Sequence, residues 1–286
     1  MTPIDIVIVN YNAGPLLVGG VDALLTAAEA DIRITVVDNA STDASLSALP
    51  PDPRLAIIRN PRNLGFAAAC NIGAAAGRAE TVLFLNPDCR LKSGALSTLH
   101  AALWSEGAVG MAGGLLLDPD GTEQPGSRRD VPTPGNLFAR FLGRGRSGRG
   151  DYSRHGDPLP PEPVDMPVIS GALMMVRRAA LEQLGGWDEG YFLHVEDIDL
   201  CERFRRAGYR ILFVPGARVV HVKGASSRGR PVFVEWHKHR GMLRFFRKFM
   251  AAHYPGPVMA LATLAVWARF SALATVLTAR RLLGRD

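Results

Sequence analysis

The sequence contains few cysteines and lacks the two glycine-rich motifs that most often bind nucleotide phosphates. Its three cysteines, Cys70, Cys89 and Cys201, are odd in number and widely spaced. They match neither a disulfide framework nor a zinc-binding pattern, which predicts a reducing compartment. No Gly-x-Gly-x-x-Gly follows the first apolar run, and no Walker lysine loop occurs in the chain. We therefore expect neither a dinucleotide site of that type nor a P-loop site.

Secretion and nucleic-acid binding also lack support in the sequence. Residues 1–5 contain no basic leader followed by an apolar stretch, so we expect no secretion. The net charge is +6, but no basic motif with interleaved aromatic residues occurs, so no nucleic-acid partner is expected. The basic residues lie in three clusters, which favours an anionic membrane surface as a partner. The clusters contain Arg140, Arg144, Arg146, Arg149 and Arg154; Lys238, Arg240, Arg244, Arg247 and Lys248; and Arg280, Arg281 and Arg285.

What the chain does contain is an alternation of short apolar runs and helical periodicity. With 286 residues and 47% hydrophobic content, it can form one large α/β domain, which we place at residues 1–250. The pattern predicts a Rossmann-like, mostly parallel central sheet flanked by helices. The first four strands are predicted at residues 4–9, 32–37, 55–59 and 81–85, with helices at 16–30, 66–76 and 96–104.

Regularity decreases after residue 109. Residues 109–117 are interpreted as a strand pair or a bend, and residues 118–167, rich in glycine, proline and arginine, as a mobile insertion. The remaining predictions are a strand at 169–176, a short helix at 177–184, two late strands at 211–214 and 218–222, and a basic helix at 235–250.

Residues 251–286 are predicted to form a C-terminal helical extension that associates with a membrane. Residues 258–279 are uncharged except for Arg269, whose position near the centre would cost a spanning helix about 2.5–3.5 kcal/mol. Trp267 and the terminal arginines favour a helix lying in the interface. The alternative is a helix packed against the domain or against a second chain, so an oligomer is possible.

Acidic and polar residues stand where the predicted strands end. Glu196, Asp197 and Asp199 begin a predicted helix, where the helix dipole favours negative charge, so a solvated helix start is the simplest interpretation. However, Asp38 and Asp88 directly follow strands, and a late strand contains a histidine. Because the carboxyl ends of parallel strands share one edge, this grouping predicts a metal-assisted ligand site at the edge of the sheet.

Five motifs taken together resemble a known enzyme family. They are Val36–Asp43 (VVDNASTD), Asn63–Ala67 (NLGFA), Asn86–Asp88 (NPD), Gly185–Glu189 (GGWDE) and Glu196–Arg203 (EDIDLCER). Their order and spacing over residues 4 to 250 resemble family 2 inverting glycosyltransferases of the GT-A fold, and most closely the rhamnosyltransferase-like branch of cell-envelope polysaccharide synthesis.

This resemblance implies a substrate class and a location. A sugar, best guessed as rhamnose from dTDP-rhamnose, would pass from a nucleotide-diphosphate donor to a glycan or a polyprenyl-diphosphate-linked sugar. The enzyme would be cytoplasmic and peripheral at the inner face of the plasma membrane. Transfer of galactofuranose or a hexose from a uridine donor is one alternative, and a non-catalytic membrane scaffold that retained the fold is another.

The resemblance also assigns donor-binding residues. Asp38 would accept a hydrogen bond from the pyrimidine N3–H, which uracil and thymine share. Asn39 lies beside it in the same motif. Four further residues are assigned to the nucleotide, and each can equally be read as a turn or cap residue: Asn10, Arg62, Asn63 and Asn71.

The metal and the chemistry are assigned in the same way. Asp88 matches the last acid of an Asp-x-Asp motif that holds Mg²⁺ or Mn²⁺ against the diphosphate, with Asn86 in place of the first acid. His221 would complete the metal site, or would be a structural strand histidine. Asp197 would be the catalytic base. Glu196 would contact the acceptor or donor sugar, and Gly171 would allow the donor sugar to approach the backbone. Asp199 is predicted to pair with Arg203.

Overall fold

The N-terminal part of the chain forms four parallel strands with two helices. A computed structural model describes residues 2–27, 31–136, 152–222 and 230–283. The strands are β1 Ile4–Asn10, β2 Ile32–Asp38, β3 Leu55–Arg59 and β4 Thr81–Leu85, and the helices are α1 Pro15–Ala27 and α2 Phe66–Ala76. β1 pairs in parallel with β2 and β4, and β2 with β3. The four predicted strands are confirmed; residues 28–30 of the first predicted helix lie outside the described residues.

The sheet separates two hydrophobic cores. Ile4, Ile6 and Ile8 contribute to one core, and Val7 and Val9 to the other. Because successive side chains of a strand point to opposite faces, a strand covered on both faces has a nearly continuous apolar sequence. All seven residues of β1 are buried.

The second part of the chain makes the sheet mixed. It contains β5 Cys89–Leu91, α3 Ala95–Leu103, β6 Val109–Leu117, β7 Arg128–Arg129, β8 Val164–Asp165, β9 Val168–Ile169, β10 Leu173–Arg177, α4 Arg178–Gln183, α5 Glu196–Arg206 and β11 Arg210–His221. The strand order is β3-β2-β1-β4-β10-β6-β11-β5, with β8 beside β11 and a separate β7–β9 pair. β10 runs antiparallel to both of its neighbours.

Three interpretations of this part were wrong. Residues 109–117 are one continuous strand, whose glycines leave room for close neighbours: a Cβ on Gly113 would lie 2.5 Å from Ile169 Cδ1. The predicted strand 169–176 is interrupted at residues 170–172, which separates β9 from β10. The two late strands are one strand, β11, with a register shift between Val214 and Arg218. Pro215 lies in this interval, and proline cannot donate to a ladder, so strand pairing continues around it as a bulge.

The predicted insertion at 118–167 contributes β7 and β8 to the fold. β7 pairs with β9, and Arg129 also forms a bridge with Ser153. Residues 137–151, with four of the arginines assigned to the first basic cluster, lie outside the described residues. The boundaries and mobility of the insertion remain predictions.

The C-terminal helices pack on each other. Helix α6, Pro231–Phe245, continues as a π-helical turn at Phe246–Met250, and α7 spans Gly256–Leu282. Trp236 of α6 contacts Trp267 and Phe270 of α7, with ring centroids 5.0 and 5.5 Å apart. Within α7 only Ala262 and Val266 are buried. The helix is long and apolar enough to cross a membrane, and most of its surface is uncovered.

Candidate active site

The ends of β1 and β2 place Asn10 and Asp38 side by side. The two residues are partners in the strand register, and both are buried. Asn10 Nδ2 donates to Asp38 Oδ1 at 2.8 Å and lies 3.0 and 2.9 Å from the hydroxyls of Ser41 and Ser45. The Ser41 amide donates to Asp38 Oδ2 at 3.1 Å. All of these partners are neutral, and each carboxylate oxygen can accept a further hydrogen bond from a ligand.

Asn39 and Asn63 hold the turn that faces this pair. Asn39 Nδ2 donates to the Gly65 carbonyl at 3.0 Å, and its Oδ1 accepts from Asn60 at 2.8 Å. Asn63 Oδ1 accepts from the Gly65 amide at 2.9 Å, and Arg62 is exposed on the same turn. The described contacts of Asn39 and Asn63 are structural, and a nucleotide contact by any of the three residues remains a prediction.

Asn71 connects α2 to the Gly-Gly-Trp-Asp turn. Its Nδ2 donates to the Trp187 carbonyl at 2.9 Å, and its Oδ1 accepts from the Trp187 amide at 2.8 Å. Gly186 is required beside it, because its φ is +72° and a Cβ would lie 2.5 Å from Asn71 Oδ1. These contacts show that Asn71 fixes Trp187, a fully buried residue that packs edge-on against Phe66 and Phe84. Its assignment to the nucleotide remains a prediction.

Asp88 and His221 meet because β5 and β11 pair antiparallel, with His221 opposite Cys89. His221 Nε2 lies 3.2 Å from Asp88 Oδ1, and both side chains are about nine-tenths buried. Asn86 Nδ2 lies 3.4 Å from the same nitrogen. Cys89 is close to both, but burial raises the pKa of its thiol well above the usual value, so it is a poor ligand for a hard cation.

Gln124, which the sequence did not single out, fixes the tautomer of His221. Gln124 Nε2 donates to the His221 carbonyl at 2.6 Å and to Asp118 Oδ1 at 2.7 Å, so the orientation of its amide is determined. Its Oε1 lies 2.9 Å from His221 Nδ1 and can only accept a hydrogen bond. The hydrogen is therefore on Nδ1, and Nε2, which carries no hydrogen, lies 3.2 Å from Asp88 Oδ1.

Two acceptors at this distance repel each other, and a cation bound by both would remove the repulsion. Asp88 Oδ1 is buried and has no hydrogen-bond donor among the described residues. One carboxylate oxygen and one imidazole nitrogen, the latter held from behind by a second residue, are typical donors for a divalent cation. The residues present therefore fit the metal that the sequence predicted.

Asp197 lies at the start of α5, after a strained turn. His194 and Val195 have φ values of +66° and +75°, a conformation that is costly for non-glycine residues and especially for a β-branched one. Asp197 Oδ1 accepts from the Ile198 amide at 2.8 Å. Its Oδ2 accepts from the Gly171 amide at 3.2 Å and from Arg129 Nη2 at 2.5 Å. Gly171 thus contacts the predicted base directly; contact with a donor sugar is untested.

Glu196 and Asp197 are adjacent, but their surroundings separate their pKa values. Burial raises the pKa of Glu196 well above its usual value, and the negative charge of Asp197 raises it further. Burial also acts to raise the pKa of Asp197, but Arg129 and the amides of Gly171 and Ile198 outweigh it and lower that pKa. At neutral pH the site therefore contains one protonated and one ionised carboxyl group, the arrangement expected of a site with a defined base.

A network of ion pairs connects α5 to the C-terminal helices. The predicted pair of Asp199 with Arg203 is confirmed, at 2.6 Å. Lys248, in the π-helical turn, lies 2.7 Å from Asp199 and 2.7 Å from Asp188. Arg244 also pairs with Asp188, at 2.9 Å. Although partial burial opposes it, hydrogen bonds from Lys248 and Arg244 lower the pKa of Asp188 to about 2.

Backbone contacts connect the segments that carry these groups. The Asn86 amide donates to the Ala172 carbonyl at 3.0 Å. This bond places the segment between β4 and Asp88 beside the turn at Gly171, whose amide contacts Asp197. The Phe66 amide donates to the Phe192 carbonyl at 2.8 Å, which joins the turn that contains Asn63 to the segment before α5. The structure thus assembles Asp38, Asp88 with His221, and Asp197 along one edge of the sheet.

The mixed sheet with acidic and polar groups along one edge agrees with the GT-A fold that the sequence predicted. Sequence comparison gives the family. Residues 5–185 match the profile of glycosyl transferase family 2, and residues 163–242 match that of glycosyltransferase like family 2. The chain belongs to glycosyltransferase family 2.

Relatives of known activity place the chain in the rhamnosyltransferase-like part of this family. It is 34% identical to the N-acetylglucosaminyl-diphospho-decaprenol L-rhamnosyltransferase of Mycobacterium tuberculosis, over 79% of this chain and 78% of that protein. It is 31% identical to the rhamnosyltransferase WbbL of Escherichia coli K12, over 50% and 52% of the two chains.

Solved structures confirm the fold. GalNAc-T7, with UDP, GalNAc and Mn²⁺, superposes with a TM-score of 0.61 at 19% identity, over 86% of this chain and 48% of that one. The mannosyltransferase of Pyrobaculum calidifontis, with GDP-mannose and Mn²⁺, gives a TM-score of 0.59 at 18% identity, over 98% and 80%.

Proposed function

We propose that this protein is a metal-dependent inverting rhamnosyltransferase that uses a pyrimidine-nucleotide donor, best dTDP-rhamnose, and an N-acetylglucosaminyl-diphospho-polyprenol acceptor. The observation that carries the proposal is the assembly of Asp38, the Asp88–His221 pair and Asp197 on one edge. The sugar and the acceptor come from the relatives, of which the mycobacterial one matches over most of both chains.

In the proposed reaction, Asp38 accepts the N3–H of the pyrimidine. Asp88 and His221 hold the divalent ion, which supplies positive charge to the leaving diphosphate. Asp197, ionised by its surroundings, takes the proton of the acceptor hydroxyl while the oxygen of that hydroxyl bonds to the anomeric carbon from the face opposite the diphosphate. The bond between the anomeric carbon and the diphosphate oxygen breaks, and the diphosphate leaves with its electron pair. Neutral Glu196 donates a hydrogen bond to a sugar hydroxyl.

The metal part of the proposal is tested by binding rather than turnover. Titration calorimetry with Mn²⁺ or Mg²⁺ and dTDP or UDP should give tight binding only with metal present, and Asp88→Asn should abolish the difference. Gln124→Met, which leaves both ligands in place, should weaken metal affinity about 10–100-fold, the usual effect of losing the residue behind a ligating histidine. Nucleotide binding that is unchanged in excess chelator would exclude the metal.

The C-terminal helix supports a peripheral position at the cytoplasmic face of the membrane. Arg269 does not face outward from α7: its Nη1 lies 3.3 Å from His239 Nε2 of α6. The helix is thus held along the domain, with Leu261 and Leu264, 54% and 67% exposed, on its outer surface. A helix fixed along a globular domain lies in the interface more readily than it crosses, and the basic residues near it each add about 1 kcal/mol against anionic lipid.

Vesicle co-sedimentation tests this membrane contact. Full-length protein should bind anionic vesicles at low salt and dissociate at high salt, and the Leu261→Ser, Leu264→Ser variant should bind less tightly without losing its fold. Binding that resists salt would indicate a spanning helix. Protein that stays in the supernatant would remove the membrane contact and leave α7 as a helix that packs against the domain or against a second chain.

The activity itself is tested with a panel of nucleotide sugars and a short-chain N-acetylglucosaminyl-diphospho-lipid. Transfer of rhamnose from dTDP-rhamnose is expected. Transfer from uridine donors alone would support the alternative of a galactofuranosyl- or hexosyltransferase. Absence of both transfer and donor hydrolysis, in protein that binds nucleotide, would support a scaffold.

A further inference from the structure

We propose that Arg129 is the positioning residue of the catalytic base: it binds one oxygen of Asp197 and so makes that carboxylate, rather than the adjacent Glu196, the group that takes the acceptor proton. This inference rests on the proposed function, because it concerns the same base. It assigns a role to Arg129, which lies in the segment 118–167 that the sequence predicted to be an insertion.

The first support is geometric. Arg129 Nη2 lies 2.5 Å from Asp197 Oδ2 and 3.0 Å from the Ile169 carbonyl, and the two side chains of the ion pair are 13% and 16% exposed. The guanidinium is therefore held by the backbone of β9 as well as by the carboxylate. Because β7 pairs with β9 and β9 leads into Gly171, one short sheet supplies both groups that bind Oδ2.

This arrangement distinguishes the two oxygens of Asp197. Oδ2 accepts from Arg129 and from the Gly171 amide, whereas Oδ1 accepts from the Ile198 amide. A carboxylate oxygen can accept about two hydrogen bonds. Oδ1 thus retains the capacity to receive the proton of the acceptor hydroxyl.

The second support is electrostatic. Glu196 is buried and the side chain of the adjacent Asp197 is only 16% exposed. Two such carboxyl groups do not ionise independently: one of them holds a proton. A cation in contact with one member decides which member is ionised. Burial would raise the pKa of Asp197, but Arg129, which contacts it, outweighs this burial together with the amides of Gly171 and Ile198 and lowers that pKa.

Among the residues that the structure describes, the other titratable groups near the pair do not provide this charge. Burial lowers the pKa of His194 to about 4, and burial raises the pKa of Cys201 to about 12, so both are neutral in the working range. Cys70 interacts with Glu196, but burial raises the pKa of its thiol well above the usual value, so it is neutral as well. The other described groups act on Arg129, His194 or Cys201 rather than on Asp197; they are Tyr152, Lys238, Glu235 and Arg205.

The test is the pH dependence of kcat/KM for transfer, measured with full-length parent, Arg129→Gln and Arg129→Lys. With Arg129→Gln, the acidic limb should move to higher pH by about one pH unit or more, the usual effect of an arginine beside a carboxylate. Activity on the acidic side should fall at least tenfold and recover as the pH rises. Arg129→Lys retains the charge, so its limb should lie closer to that of the parent.

Arg154→Gln is the matched control. Arg154 lies in the same insertion and also pairs with an aspartate, Asp130 at 2.5 Å, but it is 36% exposed and does not contact the base. Its pH profile should coincide with that of the parent. A fall in activity of Arg129→Gln that is equal at every pH would indicate a merely structural role and would overturn the inference.

A measurement on the unmutated protein keeps the inference testable if Arg129→Gln does not fold. Carboxyl ¹³C resonances of the parent, assigned with Asp197→Asn and Glu196→Gln, should show Asp197 ionising at lower pH than Glu196; the reverse order would refute the inference. Failure of the proposed function looks different, because Asp197→Asn would then retain transfer. An inactive Asp197→Asn together with an unmoved limb in Arg129→Gln would refute the role of Arg129 alone.

Discussion

The two aspartates on which the site depends, Asp38 and Asp197, are held in opposite ways. Both lie close to the same edge of the sheet; Asp38 is buried, and the side chain of Asp197 is 16% exposed. Asp38 is bound by an asparagine and a backbone amide and has neutral hydroxyls around it, whereas Asp197 is bound by an arginine and adjoins a second buried carboxyl group. The environment of Asp38 holds a hydrogen-bond acceptor in a fixed position, as the proposed contact with the neutral pyrimidine N3–H needs. The environment of Asp197 controls where a proton resides.

The backbone differs in the same way. Asp38 ends a regular parallel strand, whereas Asp197 follows two residues with left-handed φ values. Gly241 of α6 makes this turn possible, since a Cβ there would lie 3.0 Å from the His194 carbonyl oxygen. The proposed recognition residue thus stands in regular structure, and the proposed base in strained structure that neighbouring elements stabilise.

The sharpest test of this contrast is Asp197→Asn, for which we expect the largest effect. Transfer should fall about 10²–10⁴-fold, because an amide cannot take the acceptor proton. Donor binding should change little, because the proposed donor contacts are made by Asp38 and by the Asp88–His221 pair, which the substitution leaves in place. Steady-state transfer and nucleotide calorimetry measure the two quantities. Near-parental turnover in a folded variant would remove Asp197 from the chemistry.

Asp38→Asn should give the complementary result. Loss of one hydrogen bond to a charged acceptor costs about 1.5–3 kcal/mol, so the Kd of UDP or dTDP should rise about 10–100-fold. The acidic limb of the pH profile should stay in place. CDP, whose base has no N3–H, provides the control ligand: the parent should prefer UDP, and the variant should not. A preference for UDP that survives the substitution would assign base recognition elsewhere.

The sequence predicts a contact between neighbouring residues of the chain better than a contact between residues that are far apart in it. Asp38, Asp88 and the strands before them were found because a strand and the residue that ends it are adjacent in sequence. Arg129 acts on a carboxylate 68 residues away, and Gln124 on a histidine 97 residues away. No local pattern encodes these contacts. Arg129 was one arginine in an arginine-rich stretch, and Lys248 was assigned to a membrane-binding cluster before the structure placed it against Asp188 and Asp199.

Lys248→Met tests whether the catalytic side depends on its ion pairs for stability. Lys248 bridges Asp188 and the fully buried Asp199, so its loss should lower the free energy of unfolding by about 1.5–3 kcal/mol at pH 7. Below the ordinary aspartate pKa the difference should shrink, because Asp188 loses its charge as the pH approaches about 2. Lys238→Met is the control: Lys238 is 40% exposed and lies 3.5 Å from Glu235, and such pairs contribute about 0–1 kcal/mol. Equal losses in the two variants would contradict the prediction.

The smallest expected effect on transfer is that of Glu196→Gln, and Glu196 differs from every other carboxylate discussed because the sign of its effect on stability is reversed. The folded protein raises the pKa of Glu196 by burial, so above the ordinary glutamate value of about 4.3 the folded state retains a proton that the unfolded chain has released. Stability must then fall as the pH rises through that window. Glu196→Gln cannot ionise, and its amide resembles the protonated acid in shape and in its ability to donate. Urea titrations should therefore show the variant gaining stability relative to the parent between pH 5 and pH 8, with transfer largely retained.

Glu189→Gln, an exposed position, should change stability by less than about 0.5 kcal/mol at either pH. A difference between Glu196→Gln and the parent that does not vary with pH would mean that Glu196 is ionised in the folded protein, and the division between one proton-holding and one proton-accepting carboxyl would then be wrong.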